Sequence, residues 1–425
     1  MKKTILSGLC LILCSLCAAQ RVADSAWVPE LKTVELYREG APLEPPVLTM
    51  VTNDDEMSAE TRERLVLTFD LLEAEARSLR WSLGHCDADW QRDNLQPIDF
   101  MTGLGEGPIN EYDFSFTTRT DYVHYRLTLL DRFTQLTYSG NYVLTVTDDA
   151  NGDTLLTRRF WVSEGAVGIE AEVTRPYDGI GIMQRQEVDV KIEKPQTRNT
   201  SLQLRPEYER VMVQQNGRLD NARWLEFSGY DGLGLTYRFR RQNIFDGGNT
   251  FRYFDMSNLR APMYNMMGVQ EYGGELLALV RPCEDRSAKH YLSETTLNGG
   301  MKVNIWDRQN PAIEADYVWV MLSLPVSQPT LDGSVYVVGA LTDWRMDESS
   351  RMEYSPERRA YTKRLLLKQG YYAYQLLVGG PRAASATSTY EGDHQETPNT
   401  YTIYVYHRSP ADRADRLVAV RRVER

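Results

Sequence analysis

The sequence predicts an all-β protein: tandem antiparallel β-sandwich domains of immunoglobulin-like kind. Three observations predict it. Short runs alternate apolar and polar residues with period two, Gly, Asn and Asp break those runs at hairpin-like intervals, and windows of helical periodicity are scarce. The 425 residues, 42% hydrophobic and 25% charged, suffice for two to four cores at roughly 100–200 residues per domain.

The chain opens with MKKTILSGLCLILCSLCAAQ: Lys2 and Lys3, an apolar run from Ile5 to Leu16, then Cys17-Ala18-Ala19. This is the pattern of a secretory signal peptide over residues 1–19, with cleavage expected after Ala19. Leu13 and Leu16 stand where a lipoprotein cleavage site wants a small residue before Cys14 or Cys17, which disfavours a lipid anchor. Nothing later approaches the ~18 consecutive apolar residues of a membrane helix. The mature protein is therefore expected to be exported and soluble, with no transmembrane segment of its own. Its formal net charge of -11, without any long basic segment, argues against a nucleic-acid partner.

A first sandwich is expected over residues 20–165. Its strands read as Arg62 to Asp70, Ala76 to Leu83, Tyr122 to Leu130, Asn141 to Val146 and Thr154 to Val162, the last following the turn signal Asp149 to Asp153. A second is expected over 166–322, with strands at Glu187 to Ile192, Ser201 to Leu204, Arg210 to Gln214, Leu235 to Phe239, Thr250 to Phe254, Glu275 to Val280 and Tyr317 to Leu322.

Within the second unit lies YRFRRQNIFDGGNTFRYFDMSNLRAP, residues 237–262. Alternation puts Tyr237 and Phe239 on one face of a strand and Arg238 and Arg240 on the other. Gly247-Gly248 supplies the positive φ angles of a tight reversal. The local expectation is a β-hairpin with an aromatic core face and an arginine-bearing exposed face. Because Tyr, Phe and Arg are enriched at interface anchors, Arg238, Arg240, Phe245, Arg252 and Phe254 are the candidate partner-binding residues.

The third unit, 323–408, starts with a strand running from Gly333 to Gly339 and a turn reaching Trp344. It continues through Ala360 to Leu367, Gly370 to Val378 and Thr400 to Tyr406, and leaves residues 409–425 as a charged tail. It resembles immunoglobulin-like early-set modules of the starch- and glycogen-binding type, whose strand ends in a similar Gly-x-x-x-x-Trp turn. In such modules aromatics stack on sugars, so Trp344, Tyr354, Tyr371 and Tyr372 are candidate glycan-binding residues; the competing reading is that Trp344 fills its own core.

No catalytic constellation emerges. The histidines, His85, His124, His290, His394 and His407, contain no pair at metal-ligand spacing. Gly84-His85-Cys86-Asp87-Ala88-Asp89-Trp90 gathers tempting side chains, but adjacency does not align a base with a thiol, and a loop whose aspartates cap turns is favoured. Gly103 to Gly107 lacks the Lys and helix of a phosphate cradle. Beyond the signal only Cys86 and Cys283 remain. One disulfide is allowed, and two buried thiols in separate cores are favoured. The terminus RLVAVRRVER lacks the aromatic closing strand of an outer-membrane barrel.

Five motifs in order, HCDADW at 85–90, GPINEYDFSFTT at 107–118, YVHYRLTL at 122–129, SGNYVLTV at 139–146 and RQNIFDGGNTFRYFDMSNLR at 241–260, resemble the plug protein family of the type IX secretion system. The resemblance spans most of residues 30–320. It implies a non-enzymatic periplasmic protein, peripheral to the outer membrane and free of cofactors. Such a protein docks on the periplasmic opening of a giant outer-membrane β-barrel translocon and closes the idle channel. The alternative from another class is an exported glycan-binding protein that uses the early-set module.

Overall fold

The computed structural model describes residues 21–50, 63–130, 134–193, 202–331, 333–380 and 383–425. The signal peptide, residues 1–19, lies outside them. Antiparallel strands dominate, as period-two patterning requires, and the only helices among the described residues are single turns such as Pro97–Phe100 and Pro311–Glu314. None of the described helices is long and apolar enough to cross a membrane.

The first sandwich packs two sheets. One orders Ser25–Ala26, Thr154–Ser163, Gly140–Asp148, Leu79–Cys86 and Glu106–Ile109. The other orders Leu31–Arg38, Leu65–Leu71, Val123–Leu129 and Glu111–Phe114. Phe69 stacks on Tyr125 with ring centroids 5.0 Å apart, and Phe100, Tyr142 and Phe160 fill the other side of the same core.

The remaining two sandwiches group differently from the expected boundaries at 322 and 408. Gly168–Thr174, Arg185–Glu193, Gly229–Asp231, Gly234–Tyr237 and Ile244–Asp246 form one sheet of the second sandwich. Its facing sheet joins Arg223–Leu225 and Glu209–Gln215 to Thr400–His407 and Arg416–Glu424. The third sandwich, from Arg252–Asp255 through Ala383–Ala386, is thus an insertion between two parts of the second.

The reason lies in burial. Every residue of Thr400–His407 is buried, so the strand needs apolar cover on both faces. Tyr401, Ile403 and Val405 enter the second core, while Tyr404 and Tyr406 join Trp90, Trp161, Met212 and Leu417 in a cluster shared with the first sandwich. The segment expected as a charged tail is a strand for the same reason: Leu417 faces the shared cluster and Val418 the second core.

The 237–262 stretch is not a hairpin. Tyr237 ends a strand paired with Val190, whereas Arg252–Asp255 pairs with Tyr371–Tyr374 in the third sandwich. Gly247-Gly248 is the crossing between the two. A Cβ on Gly247 would sit 2.2 Å from the His394 carbonyl oxygen, so the outgoing and returning linkers meet here at a contact only glycine allows. The Gln184 carbonyl accepts from the Gly247 N–H at 2.7 Å, and the Gly248 carbonyl accepts from the His394 N–H at 2.9 Å.

Candidate docking interface

Among the described residues no group of three or more His, Cys, Asp and Glu side chains is placed to hold a metal ion. The HCDADW loop joins domains. Asp87 Oδ1 accepts from the N–H groups of Asp89 and Gln91 at 2.9 and 2.8 Å, the expected turn cap. Asp89 instead pairs with Arg210 of the second sandwich at 2.9 Å, and the Ala88 N–H donates to Asp415 at 2.9 Å. His85 is buried between Asp93, 2.5 Å from its Nδ1, and the Ser139 carbonyl. Burial pushes the Cys86 thiol up to about 12, so it is no nucleophile at neutral pH. Cys283, also buried and free, contacts the Tyr374 hydroxyl at 3.2 Å. The two thiols occupy separate cores, as the sequence favours.

A second joint links the first and third sandwiches. Lys368 Nζ donates to Asp70 at 2.6 Å and to the Ala312 carbonyl at 2.6 Å. The Tyr317 hydroxyl donates to the same Asp70 oxygen at 2.6 Å and lies 2.7 Å from the Thr33 hydroxyl. The other oxygen of Asp70 meets His124 Nδ1 at 2.6 Å. Burial drives the Lys368 amine down and the Tyr317 hydroxyl up. Glu35 stands beside them on a cleft of about 480 Å³ where residues of all three sandwiches meet. Burial, reinforced by the Asp70 charge, raises its carboxyl to about 7.

Three of the five partner-binding candidates are interior. Phe245 packs on Tyr401 in the second core at 5.3 Å, and Phe254 stacks on Tyr372 in the third at 5.4 Å. Arg252 donates to the fully buried Glu391 at 2.9 Å, and Arg286 binds the second oxygen of that carboxylate. A carboxylate buried without these two cations would be severely destabilising, so Arg252 is part of the third core's structure. Arg238 and Arg240 do reach the surface, Arg238 lying 3.8 Å from Asp231.

Sequence alternation misses what lies between these two arginines. Phe239 does not share a face with the buried Tyr237, because its φ of 57° turns the chain out of the sheet. Its ring is 51% exposed beside the 52% exposed Tyr177, centroids 6.0 Å apart. Buried Glu187 holds both: its two oxygens accept from the Tyr177 N–H at 2.6 Å and the Phe239 N–H at 3.1 Å. The Tyr177 loop also carries exposed Ile180, Ile182 and Met183. A bulky residue at positive φ costs on the order of 1 kcal/mol or more and persists only where its surroundings enforce it. Here that enforcement exposes two aromatic rings flanked by arginine.

The glycan candidates do not converge. Trp344 packs edge-on against Phe251 at 6.1 Å and over Gly299, Tyr354 packs on Tyr361, and Tyr371 stacks on Tyr253. Tyr372, buried, follows Tyr371 on one strand and points to the opposite face.

Residues 31–164 match the family model described as the type 9 secretion system plug protein 1st domain. A crystal structure of a hypothetical protein from Parabacteroides merdae ATCC 43184 is similar along the whole fold. Its TM-score is 0.88 at 28% identity, covering 96% of this chain and 100% of that one. No curated protein matches.

Proposed function

We propose that this chain, a member of the type 9 secretion system plug protein family by its first domain, acts as a non-enzymatic periplasmic plug. It binds the periplasmic opening of a large outer-membrane β-barrel translocon and closes the idle channel. The observation that carries the reading is the first-domain match over residues 31–164.

Two structural features support it. A plug must resist deformation, and the three sandwiches are tied by buried joints, the Trp161–Tyr404 cluster on one side and Asp70–Lys368 on the other. A plug must also present a surface that a protein can grip. The Tyr177–Phe239 pair, flanked by Arg238 and Arg240, has the aromatic and arginine chemistry of interface anchors. Closure by such a surface needs a stable interface, roughly 1,000 Å² or more.

The test is capture of the tagged mature protein on beads from solubilised envelopes of its own organism, with co-purifying proteins identified by mass spectrometry. Recovery of one very large outer-membrane β-barrel is expected. Recovery of no barrel, or of polysaccharide alone, overturns the reading.

A further inference from the structure

Strand Glu111–Phe114 is the outer strand of its sheet and pairs only with Val123–Leu129. Every one of its residues is exposed. Its hydrogen-bond phase follows from its continuation: the Ser115 N–H donates to the Tyr122 carbonyl at 2.9 Å, while the Phe116 N–H points the other way, to the Ile313 carbonyl at 2.8 Å. Antiparallel pairing alternates, so the backbone groups of Glu111 and Asp113 turn inward and those of Tyr112 and Phe114 turn outward. Among the described residues the outward groups of Tyr112 and Phe114 meet no partner from another part of the chain. Ile313 caps the edge at Phe116, so the open run has a defined end.

The side chains sort by face as well. Tyr112 and Phe114 are 43% and 53% exposed and touch edge-to-face at 5.9 Å, on the face shared with Tyr125. Glu111 and Asp113 occupy the opposite face. Arg126 forms an ion pair with Glu111 at 3.8 Å, but both side chains are exposed and the pair is a weak one.

We propose that this edge accepts an extended polypeptide strand whose side chains alternate basic and apolar. Backbone addition supplies affinity and the two faces supply specificity, the general mode of strand augmentation. Basic side chains of the incoming strand meet Glu111 and Asp113, and apolar ones cover Tyr112 and Phe114. The same geometry rejects a second copy of this chain. Two such edges pair antiparallel only through their outward residues, which sets Tyr112 opposite Tyr112 or Phe114 of the other copy and places Asp113 across from Glu111 or from Asp113. Like charges directly across a sheet are unfavourable and keep natural edges apart.

The test uses the chain from residue 21 onward and two fluorescent peptides of about ten residues, long enough for one strand. One alternates Lys and Val, the other Glu and Val, each held below the concentration at which it assembles alone. Fluorescence anisotropy should show saturable binding of the Lys peptide and none of the Glu peptide. Phe114→Pro removes an outward N–H at a position where an edge strand tolerates proline, and it should abolish binding with the melting curve retained. Glu111→Lys with Asp113→Lys, which leaves the backbone intact, should weaken the Lys peptide about tenfold or more. Equal binding of both peptides, failure of the Lys peptide to bind, or unchanged binding of the Lys peptide to both variants overturns the proposal. So does sedimentation showing a dimer of the parent that Phe114→Pro dissolves. None of these outcomes bears on translocon capture.

Discussion

Asp70 and Lys368 stand 298 positions apart in the chain, and their side chains meet at 2.6 Å with about 1% of either exposed. One belongs to the first sandwich and the other to the third, so this buried ion pair ties two domains together alongside contacts such as Tyr122 to Ala315 and Arg158 to Asp343. Tyr317 and His124 complete the shell around the carboxylate. Removing the cation strands a buried charge, whereas removing both charges does not. Lys368→Met is expected to cost about 3 kcal/mol in chemical denaturation, the lower end of the range for such breaks because Tyr317 still donates to Asp70. Asp70→Asn together with Lys368→Met should recover most of that loss. Equal destabilisation of the single and double variants would contradict the assignment.

Glu35 gives this joint a pH signature. Its carboxyl rises from an ordinary 4.5 to about 7 in the fold because ionisation there is desolvated and repelled by Asp70. Between those two values the folded chain keeps a proton that the unfolded chain has released, so the contribution to stability declines as pH rises through 7. Glu35→Gln, which cannot ionise, should therefore gain stability over the parent between pH 5 and pH 8, by on the order of 1–3 kcal/mol. Melting curves across that range measure it, and parallel curves for parent and variant would refute the assignment.

Much of the fold is legible in the sequence because strand alternation and turn residues are local. Leu65–Leu71, Leu79–Cys86 and Thr154–Ser163 fall close to where period two predicts them. What alternation does not carry is which sheet a strand joins. Thr400–His407 reads as the end of a third sandwich and completes the second, because its partner Glu209–Gln215 lies almost two hundred positions earlier. The 237–262 stretch fails for a related reason: Gly247-Gly248 matches a hairpin turn, while only the approach of His394 from a distant segment reveals a linker crossing. Asp87 is readable as a turn cap, a contact within four residues. The pairing of Asp89 with Arg210 is not.

The cysteines should be chemically silent. Cys86 and Cys283 are buried and unpaired, and burial raises both thiols. In the chain from residue 21 onward, a disulfide-exchange reagent at pH 8 should label neither in the native state and both after guanidinium denaturation. Rapid native labelling of Cys86 would mean that the loop joining the first two sandwiches opens.

The docking surface is the least local feature and has the sharpest test. Glu187 holds the Tyr177 and Phe239 backbones from beneath without presenting its own side chain to a partner, since it is 1% exposed. Tyr177→Ser with Phe239→Ser should lower translocon capture about tenfold or more, as loss of two anchor rings does. Stability should change little, because both rings are half exposed. Arg238→Ser with Arg240→Ser should produce a smaller, salt-dependent loss, because exposed charges act mainly through screened attraction. Glu187→Ala separates display from contact: it frees two backbone N–H groups at a cost of about 1–3 kcal/mol and should reduce capture even though Tyr177 and Phe239 remain. If capture follows the rings but ignores Glu187, their exposure does not depend on the buried carboxylate. If it follows neither, the gripping surface lies elsewhere on the protein.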